Sequence, residues 1–453
     1  MRKYLLSAVA LAALASAAQA ADEGLTLDGI TVYGVVDMGV QYNLHGTSTS
    51  DYFPTGTAEV LHKNNGKATF GLAPSNLGQS KIGIKGAEDI VDGLTGIFKL
   101  ETFFNPQAGT ISDARKSQTA CNGVTNDPAR NCATTNDDSS IAGQMFNSAA
   151  YVGLSSPKWG TATFGRQTGL VADGVSKYDP QAASNAFSVI GWSGTAAGGG
   201  FTGDRRLDNS LKYLEQFGPV RIGGQYKFGQ QTTSNRDAYE FDLGGDYRGA
   251  SIDAFYMHVN DAVYTNPLTA TQFAGLAANC PGCSSDTTLS GTVANTTTYA
   301  VMALYDAGKP KAYFGYEHIT FTNPTDALPS GTTDFGGYSL AFNNNSPFPI
   351  HKALQIVWTG LKYSFTSKFY MTGAWYHLWQ NSYATGSNAG CSTSLNGACS
   401  GYQDFLSLVA DYQLSKRFDA YAGAMWSKYA EGMANDYNHI ANIAPTVGIR
   451  FTF

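Results

Sequence analysis

Beyond its first 20 residues the chain has no apolar run long enough to cross a bilayer as a helix, which excludes a helical membrane bundle. Charge is scarce as well. Only 14% of the 453 residues are charged, low for a soluble protein of this length, and the 29 bases are outnumbered by 35 acids. A net charge of −6 argues against a nucleic-acid partner. The seven histidines are scattered and no Gly-x-Ser-x-Gly occurs, so no nucleophile and base are seen to converge as a hydrolase would need; an enzyme is not expected. No residue set calls for a cofactor or a metal. What the chain has in quantity is glycine, 51 residues, and aromatic side chains, 13% of the total. A membrane protein without apolar helices must satisfy its backbone by closing a sheet.

Period-2 alternation supports that reading. In residues 80–85, Ile82 and Ile84 oppose Lys81, Gly83 and Lys85; in 94–103, Leu94, Gly96, Phe98 and Leu100 oppose Thr95, Ile97, Lys99 and Glu101. Val220, Ile222 and Tyr226 oppose Arg221, Gln225 and Lys227, and Tyr239, Phe241 and Leu243 oppose Glu240, Asp242 and Asp246. Charges keep to one parity, as a wall with one lipid face and one wet face requires; a charge at mid-membrane on the lipid side costs roughly 2–4 kcal/mol. A soluble β-sandwich alternates too, but its loops are not sorted by length. Here tight turns at Glu88–Gly93, Ser155–Lys158, Phe217–Pro219, Tyr247–Gly249, Asp306–Pro310, Thr366–Lys368 and Ser415–Arg417 alternate with connections that are mostly long, near 43–79, 105–145, 168–204, 260–296, 322–351 and 381–401. Trp358, Trp375, Trp379 and Trp426, with Tyr363, Tyr370, Tyr412 and Tyr429, are expected at the membrane interfaces. About 16 strands fit between residue 27 and Phe453, an even number that lets the last pair with the first and leaves an aqueous channel.

Residues 1–20 read as a signal peptide: basic Arg2 and Lys3, apolar Tyr4–Ala17, then Ala18-Gln19-Ala20 before Ala21. Residues 21–453 are then one barrel domain, exported to an outer membrane. Six cysteines fall in three local pairs within long loops, Cys121/Cys132, Cys280/Cys283 and Cys391/Cys399, and are disulfide candidates. A redox or zinc role for Cys280-Pro-Gly-Cys283 would need a βαβ context or two further ligands that the surrounding sequence does not supply.

Seven short strings, in order, resemble the general diffusion porins of Gram-negative bacteria, most closely the β-proteobacterial type. They are Thr31–Asp37, Ser80–Asp89, Gly93-Leu94 through Leu100-Glu101, Ala150–Leu154, Phe164–Gln167, Asp208–Ser210 and the terminal Phe453. The resemblance implies an all-β, antiparallel, 16-stranded transmembrane barrel with short periplasmic turns and long extracellular loops. It implies a homotrimer passing small hydrophilic solutes and ions, in contact with outer-membrane lipid and lipopolysaccharide. It further implies that Phe453 is read by the outer-membrane assembly machinery, and that the third loop, here Thr168–Gly203, folds into the lumen.

On the same footing, Asp173 and Asp179 are expected as constriction acids, Lys81, Lys99, Arg206 and Lys212 as the facing bases with Glu101 beside them, and a field between the two sides orients permeating solutes. Two departures stand out. Ser148 occupies a position where relatives commonly carry arginine. Arg166 shares parity with Ala162 and Phe164 and is expected at a subunit contact. A substrate-selective channel is the alternative, but the inward faces mix signs and favour general diffusion.

Overall fold

A computed structural model describes residues 24–46, 67–107, 109–111, 145–192, 205–229, 237–266, 289–327, 334–335, 338–393, 396–435, 437 and 439–453, with four isolated positions between 272 and 278. The proposed signal peptide and Cys121, Cys132, Cys280 and Cys283 lie outside the described residues.

Sixteen strands form one closed antiparallel barrel. They are β1 (Ile30–Gly46), β2 (Lys67–Pro74 resumed as Lys81–Val91), β3 (Leu94–Asn105), β4 (Ala149–Ser156), β5 (Gly160–Thr168), β6 (Arg206–Phe217), β7 (Val220–Lys227) and β8 (Ala238–Tyr247). After these come β9 (Ala250–Asn266), β10 (Leu289–Asp306), β11 (Pro310–Thr322), β12 (Lys352–Ser364), β13 (Phe369–Gln380), β14 (Gly401–Gln413), β15 (Phe418–Glu431) and β16 (Ala441–Thr452). Each pairs with its successor. β16 returns to β1 in the register Val35↔Thr452 through Gln41↔Thr446, and Gly34 and Phe453 exchange backbone hydrogen bonds of 2.8 and 3.0 Å. Every tight turn read from the sequence sits between two of these strands.

Side-chain distribution is inverted relative to a soluble protein. Phe241, Leu243, Leu406, Leu408, Val447 and Ile449 are each half or more exposed on the outer wall, while Glu101, Lys212, Glu240 and Asp411 are buried on the inner one. On β14 the outward residues run Tyr402, Asp404, Leu406, Leu408, Ala410, Tyr412; ten residues of tilted strand span about 25 Å, the height of an outer-membrane apolar band. At one rim Tyr363, Phe365, Phe369 and Tyr412 form a chain of ring contacts 4.9–6.5 Å apart. At the other, Trp375, Trp379 and Tyr402 surround His377, which pairs with Asp404 at 2.8 Å.

The expectation that all eight Trp and Tyr residues belong to these girdles is corrected for three. Trp358 and Tyr429 are buried inside the barrel, and Tyr370 shares the inward parity of Thr372, its ring 3.6 Å from the Lys362 ammonium. Trp358 is inward because the segment after α1 covers it, Tyr429 because it stacks on Tyr437 and meets Phe405 edge-on.

β2 also differs from the sequence reading. Residues 67–74 belong to the barrel, pairing Met38↔Pro74 through Asn43↔Thr69, where a long loop was expected. Residues 75–80 then leave the ladder, and pairing resumes at Val35↔Lys81. Between these registers six residues face two, Val36 and Asp37, so the strand carries a pouch. Ser75, at φ 60°, makes the turn.

Candidate functional site: the loop across the lumen

The connection between β5 and β6 turns inward rather than away from the barrel. It begins with α1 (Leu170–Tyr178), whose first turn is met by a wall carboxylate: Val171 donates its backbone N–H to Glu240 Oε2 at 2.9 Å. A negative charge there complements the helix dipole. Leu170, Val171 and Val175 share a buried cluster with Phe255 and Met302 of the wall. Gly174 allows the approach, since a Cβ at that position would lie 2.4 Å from the Phe255 ring.

The far end of α1 is pinned by charge. Lys177 Nζ lies 3.1 Å from Asp253 Oδ2, and Arg221 reaches Asp253 Oδ1 at 2.7 Å and also pairs with Asp246. The Tyr178 hydroxyl bonds Ser251 at 2.7 Å, and Trp358 donates its indole N–H to the Tyr178 carbonyl at 3.1 Å. Burial lowers the Lys177 ammonium, with Asp253 opposing the shift, and raises the Tyr178 phenol.

Beyond α1 the chain crosses β12 to β15. Pro180 packs on Gly360, where a Cβ would come within 2.4 Å of its ring. Gln181 donates to the Thr372 carbonyl at 3.2 Å and to Ser407 Oγ at 3.0 Å, and Phe187 meets Tyr421 edge-on at 6.4 Å. The loop then reaches the β2 pouch: Ala186 donates its N–H to the Asn76 carbonyl at 2.9 Å and Asn185 its amide to the Ser75 carbonyl at 2.8 Å. The pouch is itself organised by Asp37, which accepts from the backbone of Leu77 at 2.7 Å and Gly78 at 3.1 Å and from the Tyr421 hydroxyl at 2.5 Å. After α2 (Val189–Trp192), Arg205 ties the loop's two limbs together through the Gly191 carbonyl and Ser176 Oγ.

The residues singled out from sequence divide into three groups. Lys81, Lys99 and Glu101 come together: both ammonium groups are 3.3 Å from Glu101 Oε2, which also accepts from Tyr33 at 2.8 Å, while Oε1 accepts from Ser148. Asp173 and Lys212 form an ion pair from loop to wall rather than facing each other across open water. Arg206 is buried, its guanidinium 4.5 Å from the Phe103 ring and donating to the Ser148 carbonyl at 3.1 Å. Ser148 thus serves Glu101 and Arg206 together.

Two placements depart from expectation. Asp179 is not presented to the channel. It is 1% exposed, accepting from Tyr376 Oη at 2.6 Å, Gln181 N at 3.2 Å and Ala183 N at 2.8 Å. Burial raises its carboxyl above the ordinary aspartate range, with the Tyr376 and Ser188 hydroxyls and the backbone donors opposing. It holds a turn in which Ala182 and Ala183 adopt φ of 52° and 58°, so its role is to shape the loop. Arg166 is also buried, donating to the Asn147 carbonyl at 2.9 Å and pairing with Asp208 in the same chain. Phe453 packs its ring over Gly34. Cys391 and Cys399 form a disulfide in the loop before β14.

Sequence reasoning placed Asp37 and Glu240 on the inward face without giving either a part in seating the loop, and it singled out neither Tyr33 nor Asp253. It also passed over Lys85, although that residue shares the inward parity of Lys81.

The Gram-negative porin family matches residues 7–432 of this chain. An outer membrane porin protein of Bordetella pertussis is 26% identical over 203 residues, a stretch covering 45% of this chain and 42% of that protein, less than half of its length. Among solved structures, an anion-selective porin from Comamonas acidovorans superposes with a TM-score of 0.59 at 15% identity, covering 94% of this chain and 99% of the other. The trimer form of OmpT, an outer membrane protein of Vibrio cholerae, gives 0.54 at 12% identity, covering 94% and 100%. At these identities the two structures speak for the fold.

Proposed function

This chain belongs to the Gram-negative porin family, and from that premise we propose that it forms a water-filled outer-membrane channel for passive diffusion of small hydrophilic solutes and ions. The observation that carries the reading is the course of residues 169–192. The loop is seated on the inner wall through Asp173 to Lys212 of β6, Val171 to Glu240 of β8 and Gln181 to Ser407 of β14, and reaches the β2 pouch at Asn185 and Ala186, a course that narrows the lumen. Such an arrangement sorts solutes by size and charge and has no chemical step to perform.

Residues 1–20 act as a cleaved signal peptide in this reading, and residues 21–453 as the barrel. Three copies assemble, as the trimer form of the Vibrio protein does, with lipopolysaccharide around the rim. Phe453 serves as the signal for the assembly machinery. The pore constriction is formed by α1 with Asp173 on one side and Lys81, Lys99 and Glu101 on the other, with Arg206 and Lys212 bracing it from β6. Refolded protein in a planar bilayer should open in threes, ohmically, over a broad voltage range. A folded, inserted barrel that carries no current would refute the channel.

A further inference from the structure

The outer wall carries a row of polar groups on the side that faces lipid. On β13, β14 and β15, His377, Asp404 and Lys428 are successive cross-strand partners and so share the outward face. They stand one step nearer the long loops than the row Trp375, Leu406 and Trp426. Indole rings settle at the membrane interface, which puts the next row among lipid headgroups, where a charge on the wall costs little. Asp404 accepts from His377 Nδ1 at 2.8 Å and from the Trp375 indole N–H at 3.3 Å. With Nδ1 so committed, Nε2 is the imidazole nitrogen left for a ligand. Lys428, partly exposed, makes no ion pair among the described residues.

Beside this row lies a cavity of about 390 Å³, bounded by Val357, His377, Trp379, Tyr402, Ser400 and Glu431. Trp379 and Tyr402 are direct cross-strand partners, with rings 5.2 and 5.7 Å from the imidazole. Glu431 meets the cavity from backbone at φ 55°, a conformation that costs an L-residue energy and persists where the surroundings impose it. Aromatic faces beside an imidazole, a hydroxyl and a carboxylate suit a pyranose ring. Its C–H face stacks on the rings while its hydroxyls bond the polar rim. On β8 to β10 the belt continues as Phe241, Tyr256 and Tyr299, which carry no charge, so the feature is local to one side of the barrel.

Resting on the outer-membrane reading above, we propose that this cavity docks a phosphorylated amino-sugar of the lipopolysaccharide in the outer leaflet. The sugar lies over Trp379 and Tyr402, its hydroxyls meet His377 and Glu431, and its phosphate pairs with Lys428. The acyl chains then run along Leu406, Leu408 and Ile443, which are exposed on the same wall. A lipid so held has a fixed place, whereas lipid along the uncharged belt slides.

Native mass spectrometry of refolded, lipid-free protein tests this, with titration of bisphosphorylated lipid A, its dephosphorylated form and phosphatidylglycerol. The expected result is one tightly held lipid A per barrel, with Kd raised about tenfold by Lys428→Gln and by Trp379→Ala. With dephosphorylated lipid the Lys428→Gln loss should vanish while the Trp379→Ala loss remains. Lys158→Gln, which removes an ammonium 4.7 Å from the Trp159 ring at the opposite rim, should leave binding unchanged. Phosphatidylglycerol held as tightly as lipid A would overturn the sugar site, as would native affinity in the two variants. A Lys428→Gln loss that persists without phosphate would overturn its pairing. Conductance of the native protein is a separate readout: its absence would remove the channel and leave the lipid result as it stands.

Discussion

Asp179→Ala should unseat the constriction loop. The substitution strips the acceptor from the Tyr376 hydroxyl and from the N–H groups of Gln181 and Ala183, bonds of 2.6, 3.2 and 2.8 Å at a fully buried site. Each buried donor left without a partner costs about 1–3 kcal/mol, so with three of them the docked loop should lose on the order of 3–9 kcal/mol. The turn at Ala182 and Ala183 adds to this, because left-handed backbone costs about 1–2 kcal/mol per residue and loses the bond that imposes it. A loss of that size shifts docked against undocked by roughly a hundredfold or more. Single-channel records should show added noise and a larger mean conductance, and liposome swelling should admit larger sugars. Asp179→Asn keeps one acceptor oxygen and should fall between.

The pH dependence gives a second reading of the same anchor. Because burial raises the carboxyl in the docked state, docking binds the proton. Its contribution is therefore whole below the ordinary aspartate range and declines as pH rises through the raised value. Loop noise should be quieter in acid than at neutral pH in the native protein, and insensitive to pH in Asp179→Asn. Native conductance and size cut-off in Asp179→Ala would refute the assignment of this residue as an anchor.

Asp173→Asn should move the reversal potential in a KCl gradient toward anions, since it removes a partly exposed negative charge and leaves the buried Lys212 ammonium without it; Asp179→Asn, buried, should leave it in place. Gly174→Val should lower conductance by wedging α1 off Phe255 and into the channel, while Gly93→Ala, at an open turn, should not. Reducing the Cys391–Cys399 bond, with a separation of eight residues, should release about 2.5 kcal/mol of loop-closure restraint. That would show as faster proteolysis of 381–400, with conductance unchanged.

Most of the barrel was legible because lipid imposes its pattern residue by residue: a charge of the wrong parity is costly at mid-membrane, so parity survives there, and it lapses near strand ends, as at Asp404, and at the register shift beside Arg166. The pouch in β2 was not legible, since Ser75–Ser80 carries the composition of an ordinary loop and the residues before it were read with that loop. Trp358 misled for a related reason. Its neighbours Ile356 and Leu354 share its parity, and an apolar inward face is expected only once a loop is known to cover it. Among loop acids, sequence cannot say which is buried, as Asp173 and Asp179 show. Lys85 is different: the alternation at 81, 83 and 85 already pointed it inward.

The pouch also ties the loop to the order of assembly. Asn76 donates to Tyr421, 345 residues later, and Tyr421 donates to Asp37 across a gap of 384. The ledge on which Asn185 and Ala186 rest is therefore complete only when β16 has paired with β1 and brought β15 within reach of Asp37 and Asn76. Until that seam shuts, the loop has only part of its seat. The nascent barrel would be a wide, unfiltered hole, and its narrowing a late event that reports the seam has closed.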